Sequence, residues 1–326
     1  MKKSIKLFSV LLSIFLSTIS AHAVDFSFSS PSRSVPTNVK NAMAGNVSRL
    51  LTEINRACNS GTTLNLANIS MEPGAKSRLT HLWADARFEC EDNIISTNCI
   101  HDVQGYQVRG IRVAMKPVNP SSYPGKLKRE LTISFNKTGQ ISGVRLALDD
   151  HENVSMMLKS GVGVTDARER YEILKWVEDF RCYYNEKDIK ALEQIFSDDA
   201  LIITGSVMKP RRMQRESSVK LENDVKYNVQ TKQQYISKLR TKFQTNKYIN
   251  VDFSHINIVH HGSKQNIYGV ELFQKWSTTG YRDEGYLFLL WDFSDPERPQ
   301  IHVRTWQEKS EMERVGGFGL DDFFIP

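Results

Sequence analysis

The sequence predicts an α+β chain of two tandem units, each a set of helices packed in a strongly curved, mainly antiparallel sheet. Three observations carry this. Residues 285–307, GYLFLLWDFSDPERPQIHVRTWQ, read as a β-hairpin, with an aromatic and branched run, a turn holding two prolines, and an alternating return strand. Residues 130–148, ELTISFNKTGQISGVRLAL, read as a second hairpin with Asn136-Lys137-Thr138-Gly139 as its turn. Helical stripes precede both hairpins in the same order, and residues 151–165, with Gly161 and Gly163, form a connector between the two sets.

The first residues look like a targeting signal. Lys2, Lys3 and Lys6 precede an apolar run, residues 7–19, that is too short to span a membrane, and Ala21-His22-Ala23 is a small-x-small cleavage site. The expectation is an exported, soluble protein cleaved near Ala23, periplasmic or secreted, with no membrane span. Without those three lysines the chain has 40 basic against 37 acidic residues, a net charge of +3. That is too mild for nucleic acid or a membrane surface. Cys58, Cys90, Cys99 and Cys182 are too few for a disulfide framework, and three pairings are open to them. The short loop favours Cys90 with Cys99, and the competing reading is four thiols acting as small hydrophobes.

Residues 24–36 read as a flexible leader, and 37–150 as the first, reduced unit. Residues 38–58 form a helix with Val47, Leu50, Leu51, Ile54 and Ala57 on one stripe, ended by Asn59-Ser60-Gly61. Leu66 and Ile69 suggest a helical turn, and Pro73-Gly74 a break. Leu79, Leu82, Trp83 and Ala86 form a second stripe, followed by strands over 94–103 and 106–115. The second unit spans 166–308. Thr165 or Asp166 caps a helix carrying Ile173, Leu174, Val177, Phe180 and Tyr184; Asp188 caps a shorter one; residues 200–208 form a strand. Residues 209–229 are a basic insertion without a clear period. Thr231 caps a third helix, and long strands at 248–261 and 267–276 lead into the hairpin. Val144-Arg145 is read as the counterpart of Val303-Arg304, and Gly105 of Gly262.

Residues 173–205, ILKWVEDFRCYYNEKDIKALEQIFSDDALIITG, resemble the opening of the NTF2-like (cystatin-like cone) superfamily, which includes ketosteroid isomerase-like and SnoaL-like proteins. A long helix, a break containing asparagine, a short helix and FSDDALI entering a strand carry the resemblance. It covers 166–308 and, more weakly, 38–148, where the first strand is short or missing. The whole chain resembles tandem exported bacterial proteins of unknown function. The superfamily implies a cone whose sheet wraps a helix and leaves a pocket at its open end. It implies no single function, since members include enzymes, ligand carriers and binding modules.

No HExxH, CxxC, GxSxG or P-loop pattern is present. His255 and His261 share a face by the two-residue period while His260 points away, so the three do not converge on one metal. An isomerase-like site needs a carboxylate base and hydroxyl donors in an apolar cone, and Asp179, Tyr184, His255 and Asp292 are the catalytic candidates. Arg211, Arg212 and Arg215 in the run KPRRMQR, with Trp276, Trp306, Phe323 and Phe324, are the candidates for binding a ligand or partner. Trp291 is expected in the core. The tail, residues 309–326, is too apolar for a disordered end, and is expected to dock across the connector or the first unit. The competing option for it is self-association, with Asp321 and Asp322 meeting the basic run of a second copy. The reading is a non-enzymatic module, without cofactor or metal, that binds an envelope protein or small molecule. The alternative is an exported isomerase, dehydratase or hydrolase with its site in the second cone.

Overall fold

The computed structural model describes residues 23–29, 35–101, 103–118, 120, 127–148, 167–207 and 225–323. Helix α1 (Thr37–Ser60) buries Met43, Val47, Leu50, Leu51, Ile54 and Ala57 along one stripe. Gly61 closes it at φ 66°, a left-handed conformation that glycine adopts without a Cβ penalty. Leu66 to Ile69 is a turn and not a helix. Pro73, read as a break, instead opens α2 (Pro73–Asp85), since a missing N–H costs nothing at the first helical position. Ala86, read on the helical stripe, already belongs to β2 (Ala86–Cys90), a strand the sequence reading missed.

Strands β3 (Ile94–Thr97), β4 (Ile100–His101), β5 (Gly105–Pro117), β6 (Lys128–Asn136) and β7 (Ile141–Leu146) complete the first unit. Its sheet runs β2-β5-β6-β7 with β4 on β5, all antiparallel. The expected leader is partly ordered: β1 (Asp25–Phe28) pairs in parallel with β3, and Val24 and Phe26 are buried. Met71 makes a single parallel bridge to Ile141.

In the second unit, helix α3 (Ala167–Asn185) leads to α4 (Ile189–Ile195), which Asp188 caps by accepting the Ala191 N–H. Strands β8 (Phe196–Val207) and β9 (Val225–Thr231) follow, so part of the presumed irregular insertion is a strand. A Thr231–Gln234 capping box opens α5 (Lys232–Thr245). Strands β10 (Ile249–His260), β11 (Ile267–Thr278), β12 (Arg282–Asp292) and β13 (Gln300–Glu308) precede α6 (Lys309–Val315). The sheet order is β10-β11-β12-β13-β8-β9, antiparallel throughout except for β13 beside β8. Helices α3, α4 and α5 pack into this sheet through Phe180, Leu192, Tyr235 and Leu239, which share one core with Phe196, Phe253 and Trp291.

The two sheets align through a bulge. Phe135 pairs with Ile141 and Ser134 with Gly143, leaving Ser142 as an extra residue. Trp291 pairs with Ile301 and Leu290 with Val303, leaving His302 extra in the same way. Superposing these ladders makes Met71 the counterpart of Phe196, the first residue of β8, so the first unit's opening strand has shrunk to one bridge. The same superposition moves the expected counterpart of Arg304 from Arg145 to Val144, and that of Gly105 from Gly262 to Ile267. The bulge also breaks the alternation read along residues 301–306. Ile301 lies in the cone core, while Val303 joins a cluster on the opposite face.

That opposite face differs between the units. In the first it is polar, and α3 buries it. Glu172 through Cys182 are all buried, although the helix carries charges on the side away from its apolar stripe. Arg109 grips Glu178 with two hydrogen bonds of 3.0 and 2.5 Å, Arg145 pairs with Asp179, and Arg181 reaches Asp252 at 3.4 Å. In the second unit the opposite face is apolar. Ile267, Phe288, Leu290 and Val303 are covered by Phe318, Leu320 and Phe323 from the chain's own tail. The described part of the tail therefore docks within the molecule on the second sheet, and not on the first unit as expected; Phe323 stacks on Phe288 at 5.6 Å, and the connector, the other expected contact, lies outside the described residues.

No disulfide joins any two of the four cysteines, so the expected Cys90–Cys99 pair does not form; Cys90 and Cys182 are buried, and burial pushes their thiols up to about 12 and about 11. Among the described residues no helix is long and apolar enough to cross a membrane.

Candidate functional site

The depth of the second cone is filled by its own side chains. Trp291 is fully buried, and Phe180 meets Tyr184, Phe196 and Trp291 edge to face at 5.0 to 6.4 Å. Toward the mouth a cavity of about 340 Å³ lies between α5 and the strands β8, β9, β11, β12 and β13. That is within the usual range of small-ligand sites.

Strand alternation builds its wall. Gln274 and Trp276 follow Leu272 on the inward face of β11, and Arg304 and Trp306 project from β13 beyond the bulge. Helix α5 contributes Tyr235, Lys238 and Lys242, and Tyr281 and Asp283 close the rim. The Tyr184 and Tyr235 hydroxyls lie 2.7 Å apart, and the Arg304 guanidinium stacks 5.1 Å from the Tyr235 ring centre. Burial, and then Tyr235, raise the Tyr184 hydroxyl well above its ordinary pKa, so it stays protonated. Lys242 sits over the Trp276 and Tyr281 rings at 5.7 and 5.9 Å. Lys238 donates to the Gln230 carbonyl at 2.6 Å. The Tyr281 hydroxyl donates to Asp283 at 2.7 Å, yet burial outweighs that bond and raises the Asp283 carboxyl above its ordinary range.

Several buried polar atoms in this wall have no hydrogen-bond partner. They are Nε and Nη1 of Arg304, Oε1 of Gln274, Nε1 of Trp306 and Oδ1 of Asp283. Buried polar groups are nearly always satisfied, so a cluster of unsatisfied ones around a cavity marks where another molecule's atoms belong.

Of the residues singled out from sequence, the structure brings Trp276 and Trp306 into this wall, with Tyr184 directly behind it. Asp179 lies outside the cone, paired with Arg145 between the two units. His255 is an exposed residue at φ 51° in a bulge of β10, where the ladder skips from Ser254 to Asn257. That bulge shifts the strand's parity between Ser254 and His255, since Ile256 already points into the core; His255 lies against the Phe273 ring on the outer face, in phase with His261 as the two-residue period suggested. Asp292 sits on the opposite face of the sheet with Phe323, in a groove of about 620 Å³. There His302 lies 3.5 Å from Asp292 and 3.6 Å from Asp199. Arg211, Arg212, Arg215 and Phe324 lie outside the described residues. No group of three or more His, Cys, Asp or Glu among the described residues is placed to hold a metal. Sequence reasoning missed Arg304, Gln274 and Asp283. The available signal was an arginine inside a strand of otherwise buried character.

No protein-family model and no curated protein matches the chain. Solved structures similar to it include a Nostoc punctiforme protein of unknown function with a cystatin-like fold. It is 9% identical, with 44% of this chain and 93% of that one covered and a TM-score of 0.31. A Streptomyces avermitilis protein from the NTF2-like family is 8% identical, covering 43% and 95% at a TM-score of 0.32. Bd1075 of Bdellovibrio bacteriovorus is 14% identical, covering 68% and 82% at 0.33. The fold is NTF2-like: in the second unit the last strand runs parallel to the first, and helices lie in the curve of the sheet.

Proposed function

We propose that this chain is an exported, non-enzymatic binding module of the bacterial cell envelope, taking a small molecule into the mouth of its second cone. One observation carries the reading. At four aligned positions the first unit has Val113, Met115, Val144 and Leu146, and the second has Gln274, Trp276, Arg304 and Trp306. The first unit closes over these places with apolar side chains, packed into or against its core. The fold therefore does not require a buried arginine or two tryptophans there, and their presence in the second unit has a purpose other than closure. The charged start, short apolar run and Ala-His-Ala site support export.

The test is to isolate the full chain from its native source, denature it, and identify released small molecules by mass spectrometry. The expected result is one dominant species, lost from the Arg304→Val variant, on a chain whose N-terminus is Val24. A chain that releases nothing, and whose tryptophan fluorescence does not respond to a small-molecule extract of the cell, sinks the reading.

A second reading rests on Asp283, the carboxylate in the wall, whose raised pKa and nearby Tyr184–Tyr235 pair suit proton transfer. It makes the protein an exported isomerase, dehydratase or hydrolase. Conversion of the released species by the wild type but not by Asp283→Asn would favour it; binding of an unchanged molecule by both favours the module.

A further inference from the structure

The charge of the mouth pocket specifies its ligand more closely. Arg304 is 4% exposed, and among the described residues no carboxylate forms an ion pair with it. Its Nε and Nη1 are buried without partners. Guanidinium does not lose its proton in proteins, so this is a permanent buried cation. Such a charge is expensive to keep unless something neutralises it. Lys238 and Lys242 add two cations at the rim, and Asp283 is the one carboxylate in the lining. Its protonation is favoured by burial, which weakens it further as a counter-ion. Around the guanidinium, Trp276 and Trp306 offer flat apolar walls, and Gln274 and Trp306 hold out an acceptor and a donor with no partners.

The other cavities are less specific. The gap between the units is a cavity of only about 60 Å³, and its Arg181 already faces Asp252. The groove around His302 has both imidazole nitrogens facing carboxylates. The mouth pocket combines a roomy cavity, a buried cation without a carboxylate partner and unsatisfied neutral donors and acceptors.

We propose, building on the binding reading above, that the ligand is an organic oxyanion: a carboxylate or phosphate head seated on Arg304, with a flat apolar body against Trp276 and Trp306. Two donors on one guanidinium suit either head group. The aligned Val144 supplies the natural control, because Arg304→Val replaces the cation with the side chain the same fold accepts in its first unit.

Benzoate, phenyl phosphate and benzamide test this, since they share a ring and differ in the head. Binding to the full chain is followed by calorimetry and tryptophan fluorescence. At least one of the two anions is expected to bind tenfold or more tighter than benzamide, and the tighter of the two identifies the head group. Arg304→Val should erase that preference, with its circular dichroism spectrum unchanged. Should Arg304→Val fail to fold, Lys242→Gln at the exposed rim is expected to weaken the anion severalfold and leave benzamide untouched. Equal binding of benzamide and both anions overturns the inference, as does an anion preference that survives both substitutions, or binding of none of the three probes. A neutral molecule released from the native protein would overturn it too, while leaving the mouth of the second cone as the binding site.

Discussion

The two units are built on the same ladder and bulge, yet they use their buried positions in opposite ways. The first fills its cone with apolar side chains and keeps its charges on the far face, where Arg109 and Arg145 meet Glu178 and Asp179 of α3. The second turns that around. Its far face is apolar and covered by the tail, and its unpaired charge points into the cone at Arg304. The difference separates two jobs for a buried arginine. Arg145 is matched to a carboxylate across a junction and fixes how the units sit against each other. Arg304 lies against Tyr184 and Tyr235 but forms no ion pair with a carboxylate among the described residues, and its Nε and Nη1 border the open space.

The largest test of the shared framework is a pair of aligned core substitutions. Trp291→Ala and Phe135→Ala should each destabilise by about 3–5 kcal/mol, read as a shift in denaturation midpoint. Both residues are essentially unexposed and stand at the same ladder position. A large loss for one and none for the other would break the equivalence of the sheets. Next in size is Asp179→Ala, which leaves Arg145 buried without its carboxylate. It should cost about 3 kcal/mol, measured by chemical denaturation. An unchanged midpoint would show that the junction contributes nothing.

Glu186 sharpens the junction through pH. It lies 3.9 Å from Arg78, and burial raises its carboxyl to about 7 despite that cation. Its folded pKa thus exceeds the unfolded value, so the folded state holds the extra proton between roughly pH 4.3 and 7. Stability from this group is full below that window and falls as pH rises through it. Glu186→Gln should remove the slope, matching wild type at pH 4 and exceeding it by about 3 kcal/mol at pH 8 in urea titrations. A variant with the wild-type slope would remove Glu186 as its source. The smallest effect has the opposite sign to the core losses. Arg304→Val removes an uncompensated buried charge and should raise stability by about 1 kcal/mol in the absence of ligand. A clear loss would mean that the arginine serves the fold.

Much of this architecture was legible from residue spacing. The stripe of α1, the Asp188 cap, the Thr231 cap and the closing hairpin all follow local rules, and local rules are what a single sequence displays. The bulge at His302 is different. One extra residue flips which side chains face inward, and nothing in residues 300–306 marks it, so Arg304 was aligned with Arg145 when its counterpart is Val144. The far side of α3 misled for a related reason. Asp179 was a candidate for the cone, yet it is buried outside it with Glu178 and Arg181, by partners that lie some 70 and 30 residues away. The site was half visible: aromatic residues on strands pointed to Trp276 and Trp306, while the cation between them depended on the bulge.

The polar outer face of the first sheet also governs what happens while the chain folds. Gln107, Arg109, Thr132 and Ser134 are complete as a surface once β7 has emerged, but Glu178 and Asp179, which cover them, come some 30 residues later. A first unit that folds ahead of α3 holds that face in water until the helix docks. An apolar face would spend that interval as a ready site for aggregation. A face of amides, hydroxyls and guanidinium groups stays hydrated until α3 arrives to displace the water, so the first unit can stand finished before the second begins.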